Sequence, residues 1–241
     1  MKALQREGVK QRTVQLYINA LKHYFRFLQS EAEIIAESPA EHVAVKGIKR
    51  RHLYDLFTEE ELSEIYSQYQ VKGAVGRRNK IILGLMLYQG LRTEELAALT
   101  PGDLKLREGK IYVSSNRRAN TRNMELRSFQ IIDLQDYLYK IRPLILEMMD
   151  KQSQKLFVSM GSSDRFSNMM QKLMKTLKKQ NPRIKAARQI RASVITNWLK
   201  RYNLRKVQYM AGHRYVSSTE MYQIGNLEDL QSDIAKFHPV G

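Results

Sequence analysis

The sequence of 241 residues contains no cysteine, which excludes disulfide bonds, thiolate metal sites and a cysteine nucleophile. It also contains no long hydrophobic run. The longest mainly apolar stretch, Ile81 to Leu91, is interrupted by Gly84, Gln89 and Gly90 and is too short to cross a bilayer. The N-terminus has no apolar core of the kind that a secretory signal needs. These absences predict a globular, cytoplasmic protein that does not insert into a membrane.

Acidic residues are scarce, with 24 Asp and Glu against 41 Lys and Arg and a net charge of +17. From Arg165 to Arg214 there are 14 Lys and Arg and not one Asp or Glu. A solvated face usually mixes charges of both signs, so this segment, with its regular apolar spacing, predicts a folded surface that faces a polyanion. Nucleic acid is the commonest such partner, and an anionic membrane surface is the alternative.

The first part of the chain is predicted to contain one amphipathic helix, Thr13 to Gln29. The opposite side of this helix carries Lys22 and Arg26, which could bind DNA, although an ordinary solvated face is the more common explanation for such a helix taken alone. A basic connector, Lys46 to Arg51, follows and predicts a domain boundary, with one domain over 1–51 and a second over 52–241. The apolar residues predicted to pack are Val14, Tyr17, Ile18, Leu21, Tyr24, Phe25 and Leu28.

The second domain is predicted to be mainly helical with a small sheet. A capping box, Thr58 to Glu61, starts its first helix, and a buried helix is predicted over Asn79 to Gly90. Two strands, Lys110 to Ser114 and Met124 to Ile131, flank a polar loop. That loop contains Arg117, Arg118 and Arg122. The helices predicted elsewhere are Thr93–Leu99, Leu134–Met149, Ser167–Lys179, Lys185–Tyr202, Arg205–Ala211, a short one through Tyr222, and Leu227–Phe237.

Two arginine motifs could bind a phosphate. Gly90-Leu91-Arg92 lies between two helices, and Glu95 follows one turn later, where its carboxylate can orient the Arg92 guanidinium. Arg188 and Arg191 are predicted to share one helix face, where two like charges repel unless they bind the same anion. Either motif alone is more often a surface ion pair or a solvated basic face.

A histidine and a tyrosine follow near the end of the basic segment. Gly212-His213 comes just after a short helix, and Tyr222 lies nine residues beyond His213. A single tyrosine usually serves packing, and the chain contains 13 of them. The choice of one tyrosine as a nucleophile therefore needs support from the other motifs.

Taken together, the order and spacing of these motifs resemble the tyrosine recombinase (integrase) family, over roughly Thr58 to the C-terminus. The resemblance implies a mainly α fold, with a partial helical core-binding domain followed by a mostly helical catalytic domain that contains a small antiparallel sheet. It implies that Arg92 and Arg191 clamp a DNA phosphate, that Glu95 supports Arg92, and that His213 hydrogen-bonds near a nonbridging oxygen. Tyr222 is then the nucleophile that forms a 3′-phosphotyrosine, without a metal, cofactor or ATP.

The sequence departs from the family pattern in two places. Arg188 stands where the family usually has histidine, and a guanidinium keeps its proton and cannot act as a base. The loop between the strands lacks the usual lysine, and Arg117 is the best substitute, with Arg118 next. The family also has a full helical domain ahead of the catalytic one, of which about 50 residues supply only a part.

The predicted partner is double-stranded DNA, bound by Lys22, Arg26, Arg118, Arg122, Lys185 and Arg214. The resemblance implies a homotetramer on DNA, in which the apolar helix Leu227 to Phe237 packs onto a neighbouring subunit. Two alternatives are a non-catalytic DNA-binding protein of the same fold and a type IB topoisomerase. The presence of Tyr222, Arg92 and Arg191 counts against the first, and the separate N-terminal module counts against the second.

Overall fold

The computed structural model of the protein describes residues 8–45, 55–115, 119–161 and 165–223. The chain divides into two compact units, Met1–His52 and Leu53–Gly241. The predicted basic connector and the predicted helix Leu227–Phe237 lie outside the described residues. Among the described residues, no helix is both long enough and apolar enough to cross a bilayer.

The first unit contains helix α1, Gln11–Ser30, close to the predicted bounds. Only Val14 and Ile18 of this helix are buried, while Tyr17, Leu21 and Tyr24 are each about half exposed, at 51%, 49% and 56%. The prediction that these three side chains pack was therefore wrong within this unit. Periodicity shows that a helix has an apolar face, but only the neighbouring chain determines how much of that face is covered.

The core of the second unit forms around helices α2, Glu59–Ser67, and α3, Gly73–Tyr88. The predicted capping box starts α2, because Thr58 accepts a hydrogen bond from Glu61 N and Glu61 accepts one from Thr58 N. Helix α3 begins six residues earlier than predicted. Its first turns contain the polar residues Arg78 and Asn79, which are buried and bonded to each other, so apolar spacing could not reveal them.

The sheet is antiparallel and has three strands: β1, Leu104–Lys105; β2, Lys110–Val113; and β3, Arg122–Glu125. The two-residue strand β1 is too short to produce an alternating pattern, and it was not predicted. The predicted strand Met124 to Ile131 is wrong in its second half, where helix α5 begins at Ser128. The side chain of Gln130 caps the N-terminus of this helix, because its Oε1 accepts a hydrogen bond from Arg127 N at 3.0 Å.

The remaining elements complete a mainly helical fold and bring the basic segment against α3. A short helix, α4 (Thr93–Ala98), precedes the sheet. The predicted helix Leu134 to Met149 is interrupted, because the residue after Arg142 is a proline without an N–H. The remaining helical elements are α5 (Ser128–Asp136), a π-helical segment (Tyr137–Ile141), α6 (Arg142–Met148), α7 (Phe166–Gln180), α8 (Ala187–Leu199), α9 (Leu204–Ala211) and a helical segment over 217–223.

Candidate active site

Arg92 lies at the N-terminus of α4, directly after the turn that ends α3. Gly90 in this turn has a φ of +58°, and a Cβ there would stand 3.2 Å from both Trp198 and Val194. Glu95 is buried in the first turn of α4, and its Oε2 accepts a hydrogen bond from Arg92 N at 2.8 Å. Glu95 was predicted to orient the Arg92 guanidinium, whereas this bond holds the Arg92 backbone.

The main side-chain partner of Glu95 is Arg122. Arg122 Nη1 and Nη2 donate to the two carboxylate oxygens at 2.9 and 2.8 Å, and both side chains are fully buried. The prediction that Arg122 binds DNA was therefore wrong. Arg122 and Met124 alternate inward along β3 while Asn123 and Glu125 are exposed, so the alternation of a strand was the available sequence signal.

Arg191 is buried in α8 and joins the turn before Arg92 to the end of α9. Its guanidinium donates to Gly90 O and, at 2.6 Å, to Ala211 O. Its Nη1 also lies 3.9 Å from Glu95 Oε2. Burial lowers the pKa of Arg191 to about 10, so the side chain stays charged near neutral pH. Arg188, in the first turn of α8, is exposed.

His213 follows Gly212, which ends α9 in a left-handed conformation with a φ of +63°. The imidazole is buried between Thr219 Oγ1, 2.8 Å from Nδ1, and Arg191 Nη2, 3.5 Å from Nε2. Burial, followed by the positive charges of Arg191 and its neighbours, lowers the pKa of His213 to about 4. Because a guanidinium only donates, Nε2 accepts from Arg191 and Nδ1–H donates to Thr219.

Tyr222 lies in the helical segment 217–223, and its ring stacks on His213. The ring centroids are 6.0 Å apart and the planes differ by 9°. The ring is half-buried and packs against the small apolar cluster of Ile195, Val207 and Ala211. These contacts place one of the 13 tyrosines beside the histidine and arginine of the site.

The strand-to-strand loop is bound to the turn that carries His213. Ala119 forms an isolated β-bridge with His213, and Asn120 N donates to Gly212 O at 3.0 Å. Arg117 and Arg118, the predicted substitutes for a lysine, lie outside the described residues. The described end of the loop therefore contacts the site, while the two arginines carry no structural description.

The structure brings together Arg92, Glu95, Arg191, His213 and Tyr222 through contacts that sequence separation alone did not reveal. It adds two residues to the site. Arg122 had been predicted to bind DNA, and Thr219 had no predicted role. Within the described ranges no group of three or more His, Asp or Glu side chains could bind a metal ion. The predicted DNA-binding residues Arg26, Lys185 and Arg214 are exposed, and Lys22 is half-buried with Nζ donating to Glu41 O at 2.7 Å.

This arrangement can bind a tetrahedral oxyanion. Guanidinium groups are strong donors to phosphate oxygens, and donors held in a protein interior need little reorganisation when charge develops on a bound group. A tyrosine hydroxyl beside such donors can serve as a nucleophile toward the bound group.

Comparison with known proteins identifies relatives of the whole chain. The model of the phage integrase family matches residues 55–226. The chain is 30% identical over 244 residues to the tyrosine recombinase XerC of Pelotomaculum thermopropionicum, covering 98% of this chain and 78% of that protein. It is 26% identical to XerC of Bacillus subtilis over 242 residues, covering 97% of this chain and 77% of that protein.

The fold also matches a solved structure, that of the XerH site-specific recombinase bound to its difH substrate. The TM-score is 0.70 at 22% identity, with 95% of this chain and 66% of that chain covered. The family match spans most of the chain and includes Arg92, Glu95, Arg191, His213 and Tyr222. The chain therefore belongs to the phage integrase family, as a site-specific recombinase of the tyrosine type.

Proposed function

We propose that this recombinase cleaves and rejoins double-stranded DNA with Tyr222 as the nucleophile. The main observation in support is that Tyr222 stacks on His213, which in turn contacts the buried Arg191. Tyr222 Oη attacks the scissile phosphorus, the bond to the 5′ oxygen breaks, and a 3′-phosphotyrosine forms. The phenol loses its proton and the 5′ oxygen gains one. Attack by a 5′-hydroxyl on the phosphotyrosine reverses the step, so no external energy source is needed.

Arg92, Arg191 and His213 are proposed to bind the nonbridging oxygens. In-line attack increases the charge on these oxygens, and donors already held in place stabilise that charge. Thr219 hydroxyl can either accept from or donate to His213 Nδ1, since a hydroxyl does both. His213 can therefore turn Nε2 from an acceptor toward Arg191 into a donor toward a bound phosphate without losing its partner.

Two further arginines are proposed to add positive charge to the site. Arg188, exposed in the first turn of α8, binds phosphate rather than moving a proton, because guanidinium keeps its proton. Arg117, with Arg118 as the alternative, stabilises the departing 5′ oxygen electrostatically while water supplies the proton. The two loop arginines are assigned this role because they stand in the loop where the family has a lysine.

DNA binding is assigned to basic residues of both units. XerH is solved with its difH substrate, and the Tn1549 transposon integrase, another protein of similar fold, in complex with transposon right end DNA, which supports DNA as the partner here. We assign residues 1–51 to a partial core-binding domain and 52–241 to the catalytic domain. A homotetramer joined by the segment 227–237, and a cytoplasmic location on the bacterial nucleoid, belong to the same proposal. The basic residues assigned to the DNA are Lys22, Arg26, Arg118, Lys185 and Arg214.

The test replaces Tyr222 by phenylalanine, which removes only the nucleophilic oxygen. The substrate is a nicked duplex chosen from a randomised pool by binding to the unmutated protein. We expect Tyr222→Phe to bind this DNA as the unmutated protein does and to form no covalent adduct on a denaturing gel. Tyr215→Phe, an exposed tyrosine seven residues earlier, is the matched control and should form the adduct normally.

Persistence of the adduct in Tyr222→Phe would remove Tyr222 from the nucleophile role. Its loss in Tyr215→Phe alone would assign the role to Tyr215. No adduct from the unmutated protein on any selected substrate would favour the non-catalytic alternative.

A further inference from the structure

We propose that Arg122 is a positioning residue of DNA cleavage, acting through Glu95 on the two arginines that bind the phosphate. The inference rests on the proposed function, since it names how the same site is held. Arg122 does not touch the DNA in this proposal. It holds Glu95 in the position from which that residue bonds Arg92 N at the start of α4. It also neutralises the charge of Glu95, which leaves the charge of Arg191 available to the phosphate.

The geometry places Glu95 between three arginines. Both of its oxygens accept hydrogen bonds from Arg122, and Oε2 also accepts one from Arg92 N. Arg191 Nη1 stands at 3.9 Å from the same Oε2, outside hydrogen-bonding range. Arg122 is therefore the strong partner of Glu95, and Arg191 is a weak one.

The negative charge of Glu95 is balanced mainly by Arg122. Burial by itself would raise the pKa of Glu95, but the hydrogen bonds and charge of Arg122 outweigh it, and the net pKa is lowered. Glu95 is thus an anion whose charge Arg122 offsets. Without Arg122, the nearest buried cation is Arg191, and attraction to Glu95 would draw its guanidinium away from Gly90 O, Ala211 O and His213.

Arg122 also lies against the turn that carries His213. A Cβ on Gly212 would overlap Arg122 Nη1 and stand 3.0 Å from its Cζ, so the glycine admits the guanidinium. Two residues before β3 begins, Asn120 N donates to the carbonyl of the same glycine. The Arg122 side chain therefore contacts both Glu95 in the first turn of α4 and Gly212 in the turn before His213.

A contribution to stability alone does not explain this pair. A buried ion pair gains little over apolar side chains of similar volume, because both charges must leave water. Arg122 Nε has no hydrogen-bond partner among the described residues, which adds to that desolvation cost. A group kept buried at such a cost, and directed at the residues that bind phosphate, is better explained by positioning.

The experiment compares two variants on two substrates. Arg122→Lys keeps the charge but cannot form two parallel bonds to Glu95. Arg122→Met combined with Glu95→Gln removes both charges, so it tests the site even where the lysine variant does not fold. The substrates are the selected nicked duplex and the same duplex with a methylphosphonate at the scissile position, which removes the charge that the arginines stabilise. Arg77→Lys, altering an exposed pair with Asp136, is the control.

We expect Arg122→Lys to bind the duplex with unchanged affinity and to cleave the phosphodiester about 10- to 100-fold more slowly in a single turnover. On the methylphosphonate its rate should stay within about threefold of the unmutated protein, because displaced arginines matter less there. The double variant should still be slowed on the phosphodiester, because the Arg122 contacts are lost, but less than Arg122→Lys, because no carboxylate remains to draw Arg191 away. Its rate on the methylphosphonate should also stay within about threefold of the unmutated protein. Arg77→Lys should match the unmutated protein on both.

Equal slowing on both substrates would overturn the proposal and leave Arg122 a purely structural role. Unchanged cleavage, or weakened binding with full cleavage at saturation, would overturn it as well. If neither variant folds, Arg122 is a folding residue and the proposal fails. Tyr222→Phe is assayed in parallel, because an adduct in that variant would refute the proposed function without bearing on Arg122.

Discussion

His213 shows how burial changes the chemistry of a single residue. Its ordinary pKa of 6.5 falls to about 4, because the ring is desolvated and lies beside several guanidinium groups. At neutral pH it is therefore an uncharged hydrogen-bonding group. The role assigned to it needs a donor or acceptor and no additional positive charge next to Arg191.

This shift predicts how stability depends on pH. Between about pH 4 and 6.5 the unfolded chain binds a proton at residue 213 that the folded protein does not, so stability rises with pH across this window. His213→Gln should remove that dependence. We expect the difference in free energy of unfolding between mutant and unmutated protein to change by on the order of 1–2 kcal/mol between about pH 7 and pH 4.5.

Urea unfolding followed by circular dichroism at a series of pH values measures this difference. His42→Gln, which removes an exposed histidine, is the control and should run parallel to the unmutated protein. If the free energy of unfolding of His213→Gln changes with pH in the same way as that of the unmutated protein, His213 is not kept neutral by its surroundings.

Among the elements, the junctions between helices decide the site more than the helices themselves. Arg92 follows the turn after α3, and His213 follows the glycine that ends α9. Both turns contain a glycine with positive φ, at Gly90 and Gly212. The buried Arg191 donates to Gly90 O in the first turn and contacts the His213 ring after the second, so one side chain joins two turns far apart in sequence.

Two glycines offer a matched test of the junction at α9. Gly212 and Gly109 have nearly the same backbone conformation, with φ of +63° and +64°. A Cβ on Gly109 would meet only Ile131 Cδ1 at 3.5 Å, whereas one on Gly212 would overlap the Arg122 guanidinium. Gly109→Ala should therefore lose about 1 kcal/mol of stability from backbone strain alone.

Gly212→Ala should lose more, about 2–4 kcal/mol, because Arg122 must also move. It should form the covalent adduct more slowly even at a temperature where it is folded. Thermal unfolding and adduct formation measure the two effects. Equal losses for the two glycines would mean that the contact with Arg122 contributes nothing.

Element boundaries were predicted well where a local signal exists and poorly where contacts decide. The capping box at Thr58 starts α2 as predicted, since both of its hydrogen bonds lie within four residues. The strand predicted through Ile131 becomes helix at Ser128, where Gln130 is held by Gln89 from α3's end. No pattern within the segment could reveal that distant partner.

At the scale of the whole molecule, the net charge of +17 predicts steep salt dependence. DNA binding releases counterions from each neutralised phosphate, so for roughly 6–10 phosphate contacts the affinity should fall by about 10³–10⁵ between about 50 and 200 mM salt. Fluorescence anisotropy with a labelled duplex measures this. A nearly flat dependence would contradict a DNA-binding role for the segment Arg165 to Arg214.

Vesicles with anionic lipids provide the control for the charged surface. If charge alone drives binding, such vesicles should compete with the duplex about as well as unlabelled DNA of equal charge. We expect them to compete poorly, because a duplex presents its phosphates at fixed positions that several basic side chains can contact together, whereas lipid headgroups do not. Strong competition would favour the membrane alternative.

The order of motifs along the chain, through the family it resembles, was sufficient to predict a mainly helical recombinase, and it led us to propose Arg92, Arg191, His213 and Tyr222 as its site residues. Each of these motifs has a local signature, which is either a turn glycine or a helical spacing. Such a signature can be recognised in the sequence without knowledge of the fold. The tertiary structure alone decided which charges are buried and which are paired. Arg122 changed from a predicted DNA contact into the partner of Glu95, because burial depends on residues distant in sequence. Burial lowers the pKa of Arg191 and of His213, whereas the hydrogen bonds and charge of Arg122 lower the pKa of Glu95 against the effect of burial.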